Sequence, residues 1–246
     1  MLFTVDIGNT TVAIAGLEGE RVAFVKKLPS DPGLDWPAAL RQLLEGVEAQ
    51  GAVLSSVVPA LTGPVGEGLK AITGKPVLVV DKTTPTGLDL SGYDTANLGM
   101  DRVVDCVAAL AMYTPPVAVF DMGTATTLSV VDRGGLFRGG MILPGLALGL
   151  EALSARAAQL PPITLSQPEG LLGTDTVSCM KYGALYGAAG AIEGIVRRLE
   201  KELGGLTVVL TGGNSTLVRP LLGIPTVWEP HLTFLGLGEI WKGNNH

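Results

Sequence analysis

The 246 residues are enough for one large domain or two lobes of ordinary size, and with 47% hydrophobic and 16% charged residues the chain can bury a large core and is not disordered. A net charge of −6 with no basic cluster argues against nucleic acid as a partner, because phosphate backbones are bound by Lys and Arg. Two cysteines, Cys106 and Cys179, make no disulfide framework and point to a reducing cytoplasm, and neither a signal peptide nor a membrane-spanning run is read.

The first residues set a pattern. Leu2-Phe3-Thr4-Val5 is a short, mainly apolar run that ends at Asp6, and Ile7-Gly8-Asn9-Thr10-Thr11 follows. The run reads as a buried strand that turns sharply at its C-terminal end. Gly8 lets backbone N–H groups approach a ligand, and Asn9, Thr10 and Thr11 supply short donors. Donors suit phosphate oxygens, and a carboxylate suits the magnesium ion that accompanies phosphate. The stretch reads as a nucleotide-phosphate turn, with Asp6 as metal anchor or catalytic base, or else as a plain β-hairpin with a polar tip.

Residues 12–17 and 21–28 continue as an antiparallel meander around Gly19. Residues 35–49 have helical spacing, with Leu40, Leu43, Leu44 and Val47 on one face. A buried strand over 52–58, a helix over 61–72 and a strand over 76–80 follow. Residues 83–99 have loop composition, and a polar loop of that length between ordered elements is often functional. Residues 100–113 predict a helix with Asp101 and Arg102 in its first turn. Taken alone, that pair reads as a surface ion pair at a helix start.

At Val117 the chain repeats itself. Val117-Ala118-Val119-Phe120-Asp121-Met122-Gly123-Thr124-Ala125-Thr126-Thr127 restates the opening, and Asp121 stands 115 residues after Asp6. Two Asp-x-Gly turns closing apolar runs at half-chain spacing predict two similar lobes, 1–114 and 115–246. Residues 175–198 predict a long helix with a face of small residues. A strand over 206–210 leads into a third glycine turn, Thr211-Gly212-Gly213-Asn214-Ser215, and a helix over 215–222. This turn reads as a contact for a base or ribose, or as an ordinary strand-to-helix turn. Residues 226–237 close the fold, His231 reads as a surface or packing residue, and the last five residues, ending at His246, are expected to fray.

This arrangement resembles the superfamily of actin, the Hsp70 chaperones and the sugar kinases, and within it the type III pantothenate kinases. The resemblance spans nearly the whole chain. It rests on Asp6-Ile7-Gly8-Asn9-Thr10, Ser55-Ser56-Val57-Val58-Pro59, Gly99-Met100-Asp101-Arg102, Asp121-Met122-Gly123-Thr124-Ala125-Thr126-Thr127, Gly139-Gly140-Met141-Ile142-Leu143-Pro144-Gly145 and Thr211-Gly212-Gly213. It implies an α/β fold of two duplicated ribonuclease-H-like (actin-like ATPase) lobes, each a mixed five-stranded sheet with helices, facing a nucleotide cleft. It implies ATP-dependent phosphorylation of pantothenate, the first step to coenzyme A, by a cytoplasmic homodimer that uses magnesium and a monovalent cation, potassium or ammonium. Asp6, Ile7, Gly8, Asn9, Thr10, Thr11, Val12 and Ala13 match the first phosphate-binding segment, and Thr124 matches an ATP-contacting threonine. Gly99, Met100, Asp101 and Arg102 match the pantothenate-binding motif, with Asp101 as general base. Asp121 matches the monovalent-cation ligand, and Tyr93 and Thr176 match pantothenate contacts.

Elementary chemistry agrees with these roles. Arg102 is a planar, always charged donor suited to the pantothenate carboxylate, and Asp101 beside it can accept the hydroxyl proton during phosphoryl transfer. No P-loop lysine occurs, which gives a monovalent cation a role at the phosphates. Two departures stand out. Thr95-Ala96 replaces an Asn-Pro pair, which is expected to loosen the substrate loop, and Tyr182-Gly183 replaces Ser-Gly. Alternative readings are another small-molecule kinase of the superfamily and a non-catalytic transcription accessory or regulatory relative. Intact Asp6, Asp101 and Asp121 argue against a retired enzyme.

Overall fold

A computed structural model describes residues 1–157 and 159–245, so His246 lies outside the described residues. The chain forms two compact units. One is Met1–Met112 joined by the chain from His231 on, and the other is Tyr113–Pro230.

The first unit opens with β1 (Leu2–Ile7), β2 (Thr11–Glu18) and β3 (Arg21–Pro29). These pair antiparallel, as the meander predicts. α1 (Trp36–Leu43) is started by Asp35, whose carboxylate accepts the Ala38 N–H at 3.1 Å. It ends earlier than the helical spacing over 35–49 suggests, because the chain turns at Gly46, where φ is +74°. β4 (Gly51–Ser56), α2 (Pro59–Thr73) and β5 (Val77–Val79) follow, and α3 (Met100–Met112) ends this part of the unit. The sheet order is β3-β2-β1-β4-β5, with β4 parallel to both β1 and β5.

Period-two alternation divides the side chains of this sheet between its faces. Phe3, Val5, Ile7, Val12, Ile14 and Leu54 pack with Trp36, Leu40, Leu61, Val65 and Leu69 of α1 and α2. The opposite face carries Thr4, Asp6, Ala13 and Ala15. It is closed by α7 (Leu232–Asn244), whose Phe234 packs on Ala13 and Ala15. α7 also lies against α3 so closely that a methyl at Gly236 would collide with the Val104 carbonyl. The expected division at 114/115 therefore separates α7 from the unit it belongs to: its buried Leu232, Phe234, Leu237 and Ile240 serve the first sheet. Fraying is not seen over the described end, since α7 reaches Asn244, which donates to the Pro85 carbonyl at 2.9 Å. His231 is a packing residue at the start of α7, its ring 6.4 Å from that of Phe234.

The second unit holds β6 (Val117–Met122), β7 (Ala125–Val131), β8 (Phe137–Pro144), α4 (Leu146–Arg156), α5 (Thr176–Leu203), β9 (Thr207–Thr211), the one-turn helix α6 (Ser215–Val218) and β10 (Val227–Trp228). Its sheet runs β8-β7-β6-β9-β10, the order of the first sheet repeated strand for strand. β6 is antiparallel to β7 and parallel to β9, as β1 is to β2 and β4. The sequence echo is thus a duplication of topology. Ala118, Phe120, Met122, Leu128, Val208 and Leu210 pack with Leu146, Leu185, Ala189, Ile192 and Val196 of α4 and α5.

Candidate active site

The two central strands present their carboxylates in the same way. Asp6 is the penultimate residue of β1, opposite Ala13 of β2 and Ser55 of β4; Asp121 is the penultimate residue of β6, opposite Thr127 of β7 and Thr211 of β9. Each aspartate is followed by a tight turn. Gly8 N–H donates to the Thr11 carbonyl at 3.0 Å, and Gly123 N–H donates to the Ala125 carbonyl at 2.9 Å. Both turns are hairpin connections by geometry.

In the first unit the fully buried Ser55 Oγ donates to Asp6 Oδ1 at 3.1 Å. Burial pushes the Asp6 carboxyl up to about 6, the Asp101 charge pushes the same way, and the Ser55 hydrogen bond opposes both. Part of the Asp6 side chain still reaches solvent. Asn9 and Thr10 are exposed at the tip of the turn, whereas the side chains of Ile7 and Val12 belong to the core and Ala13 packs on Phe234. Those three can meet a ligand only through their backbone.

Asp101 stands in the first turn of α3, and its Oδ1 accepts the Arg102 N–H at 2.9 Å. Burial raises its carboxyl above the ordinary range, while the Arg102 N–H and guanidinium pull it back. A methyl at Gly99 would collide with Asp101 Oδ1, so glycine is what lets this carboxylate fold against the loop. Arg102 is only 8% exposed, and its guanidinium carbon lies 6.0 Å from the centroid of the Tyr93 ring. The surface ion-pair reading therefore fails. Asp101 and Arg102 are inward-facing, and Tyr93, Gly99, Met100, Asp101 and Arg102 form one group in the unit that also carries Asp6.

Where the proline is missing, hydrogen bonds hold the loop backbone. Asp94 accepts the Ala96 N–H at 2.9 Å and starts a 3₁₀ turn over Thr95–Asn97. A proline at 96 has no N–H to give. Lys82 Nζ also donates to the Ala96 carbonyl. Tyr182, the other departure, uses its hydroxyl to accept the Glu169 N–H at 3.1 Å, tying the preceding loop to α5.

In the second unit, Thr124 is exposed beyond Asp121. The third glycine turn is bound to this Asp-x-Gly turn. Asn214 N–H donates to the Met122 carbonyl at 2.9 Å, and Asn214 Nδ2 donates to the Gly123 carbonyl at 3.0 Å. Gly212, at φ +81°, lies so near that a methyl there would strike Asp121 Oδ1 and the Met122 nitrogen. Ser215 Oγ donates to the Gly212 carbonyl at 2.6 Å and accepts the Trp228 indole N–H at 3.0 Å. Thr176 is exposed at the first position of α5, after an Asp175–Ser178 capping box, so the two expected pantothenate contacts Tyr93 and Thr176 belong to different units.

The donor types suit hard cations. Among the described residues no cluster of three or more His, Cys, Asp or Glu could hold a metal alone. One or two carboxylates, such as Asp6, match magnesium brought in on phosphates, and the Asp121 carboxylate is an oxygen donor of the kind a monovalent cation takes. Two positions were read as parts of motifs but without their partners. Ser55 was legible only through the parallel register that pairs it with Asp6, and Asn214 only through a contact spanning 91 residues.

A sequence profile described as type III pantothenate kinase matches residues 2–198. A type III pantothenate kinase of Moorella thermoacetica is 36% identical over 253 residues, covering 99% of this chain and 100% of that protein. A Campylobacter jejuni protein assigned to the Baf family of transcriptional activators superposes with a TM-score of 0.63 at 20% identity over 98% of each chain. A Listeria monocytogenes protein assigned as an N-acetylmannosamine kinase does so with 0.54 at 14% identity over 99% of each. The structural likenesses carry the actin-like ATPase fold, and the full-length sequence match carries the family: the chain belongs to the type III pantothenate kinases.

Proposed function

We propose that the protein transfers the γ-phosphoryl group of ATP to the primary hydroxyl of pantothenate in one direct in-line step, with Asp101 as general base. The observation that carries this reading is the inward-facing Asp101-Arg102 pair at the start of α3, beside Tyr93 and within electrostatic reach of Asp6. Arg102 holds the substrate carboxylate, which orients the hydroxyl at the other end of the molecule. Asp101 accepts the hydroxyl proton as the oxygen attacks phosphorus. Its raised pKa makes it a stronger base than an exposed aspartate. The Asp6 turn and the Asp121–Thr124 turn supply phosphate donors, and Asp6 anchors the phosphates through magnesium, which neutralises developing charge when bound. Asp121 holds potassium or ammonium.

The test is ADP release with and without pantothenate, first in potassium and then in sodium. Pantothenate-dependent release in potassium is the expected result; its absence in both salts ends the reading. In the same assay Arg102→Ala should raise the pantothenate KM about 10- to 100-fold, the loss of a charge-assisted hydrogen bond, with the ATP KM nearly unchanged. Equal increases in both, or equal turnover of a neutral alcohol, would remove the carboxylate-recognition role.

A homodimer in the cytoplasm is part of the proposal. The second unit leaves Ile142 (69%), Leu172 (82%), Met141, Leu148 and Leu153 exposed, and a groove of about 450 Å³ between α4 and α5 is lined by Leu146, Leu150, Leu153, Met180 and Ile192. Apolar surface of this extent is usual at interfaces. Cys106 and Cys179 form no disulfide, which suits a reducing compartment. Light scattering at micromolar concentration should give twice the chain mass of 25.4 kDa, and a single-chain mass would remove the dimer.

A further inference from the structure

We propose that Asn214 is a positioning residue for ATP, fixing the Gly123–Thr124 peptide so that the Thr124 N–H faces the phosphates. The inference rests on the reading of the Asp121–Thr124 turn as a phosphate contact. Its geometric basis is separate from that reading. Asn214 makes two hydrogen bonds to the turn, N–H to the Met122 carbonyl at 2.9 Å and Nδ2 to the Gly123 carbonyl at 3.0 Å. A trans peptide is planar, with C=O and N–H pointing opposite ways. Capturing the Gly123 carbonyl therefore sets the direction of the Thr124 N–H.

The turn is confined from a second side. Gly145 approaches so closely that a methyl there would collide with the carbonyl oxygens of both Gly123 and Thr124. Asn214 is itself held. Gly212 rests on Asp121 and Met122, and Ser215 and Trp228 fix the Gly212 carbonyl. The side-chain amide is thus the adjustable end of a braced loop. A donor is the chemistry required there, because its partner is a carbonyl oxygen. An aspartate in its place offers an acceptor instead and adds negative charge to a turn that receives phosphate.

Asn214→Ala removes the side-chain bond and keeps the backbone bond to Met122. Its expected effect is a 2- to 10-fold rise in the ATP KM, from a hydrogen bond of ordinary strength, with the pantothenate KM unchanged and the urea midpoint near that of wild type. Asn214→Asp should weaken ATP further. Calorimetric binding of a non-hydrolysable ATP analogue reads the same effect without pantothenate, so it separates this proposal from the identity of the acceptor. Weaker analogue binding in both variants at unchanged urea midpoint carries the proposal, even were another alcohol the acceptor. Analogue affinity equal to wild type overturns it. So does a loss shared equally by both substrates, or a lowered midpoint with unchanged KM values, either of which makes Asn214 a purely structural residue.

Discussion

Asp101→Asn should lower pantothenate-dependent kcat by about 100- to 10,000-fold, the range lost when a general base is removed. The side chain keeps its shape, so ATP-analogue affinity should stay near wild type. The variant should also shift a neighbour. The Asp101 charge is one cause of the raised Asp6 carboxyl. With that charge gone, Asp6 ionises at lower pH, and residual activity should persist further into acid than in wild type. A pH profile of kcat/KM alongside analogue binding checks both effects. Turnover within threefold of wild type would remove Asp101 as the base. An unshifted acid limb would separate it from Asp6.

Asp6→Asn should lower phosphoryl transfer on the order of 100-fold, yet make the metal-free protein more stable above pH 6. The folded-state carboxyl titrates at about 6 against an ordinary value of 3.8. Between those values the folded chain binds a proton that the unfolded chain has already released, so stability falls as pH rises through the window. Above it, the ionised carboxylate opposes folding by about 3 kcal/mol, at the conversion of about 1.4 kcal/mol per pH unit. Asn removes that opposition and still accepts from Ser55. The gain at pH 8 should shrink as pH falls through 6 and vanish near 4. Urea unfolding in EDTA at pH 8, 6 and 4 measures it. A variant less stable than wild type at pH 8 would mean that ionised Asp6 is a net stabilising group. Wild-type rate and magnesium dependence would remove its metal role.

Both predictions concern residues that were legible in the sequence, for a physical reason. An apolar run that ends in Asp-x-Gly marks a buried strand and its turn by local chemistry alone, and a second copy at Asp121 makes the duplication visible. What stayed hidden depends on tertiary contact. The helix over 35–49 looked longer than α1 because apolar periodicity runs on past Gly46, where the backbone turns away. The C-terminal segment read only as closing the fold, and neither its helix nor the sheet it lies on was legible. Its choice rests on Phe234 meeting Ala13 and Ala15, and Gly236 meeting Val104. The turn at Gly212 and Gly213 read as a surface for a flat base. Its Gly212 and Asn214 also brace the Asp121 turn, and no local pattern announces a bond from Asn214 to Gly123. Asp101 and Arg102 were legible as a motif, while their burial, which sets them apart from a solvated ion pair, was not.

The return of α7 to the first sheet bears on how the chain is made. Ribosomes deliver β1 to β5 first and residues 232–244 last. Until Phe234 has been made, the face carrying Ala13 and Ala15 lacks the side chain that covers it in the folded molecule. The stretch from Tyr113 to Pro230 is continuous and holds all the strands of its own sheet. Domains usually mature from the N-terminus during synthesis, yet here the second unit is the one whose parts are contiguous in the chain. The second unit can close its core as soon as Pro230 has been made, while the first, begun earlier, waits for residues 232–244.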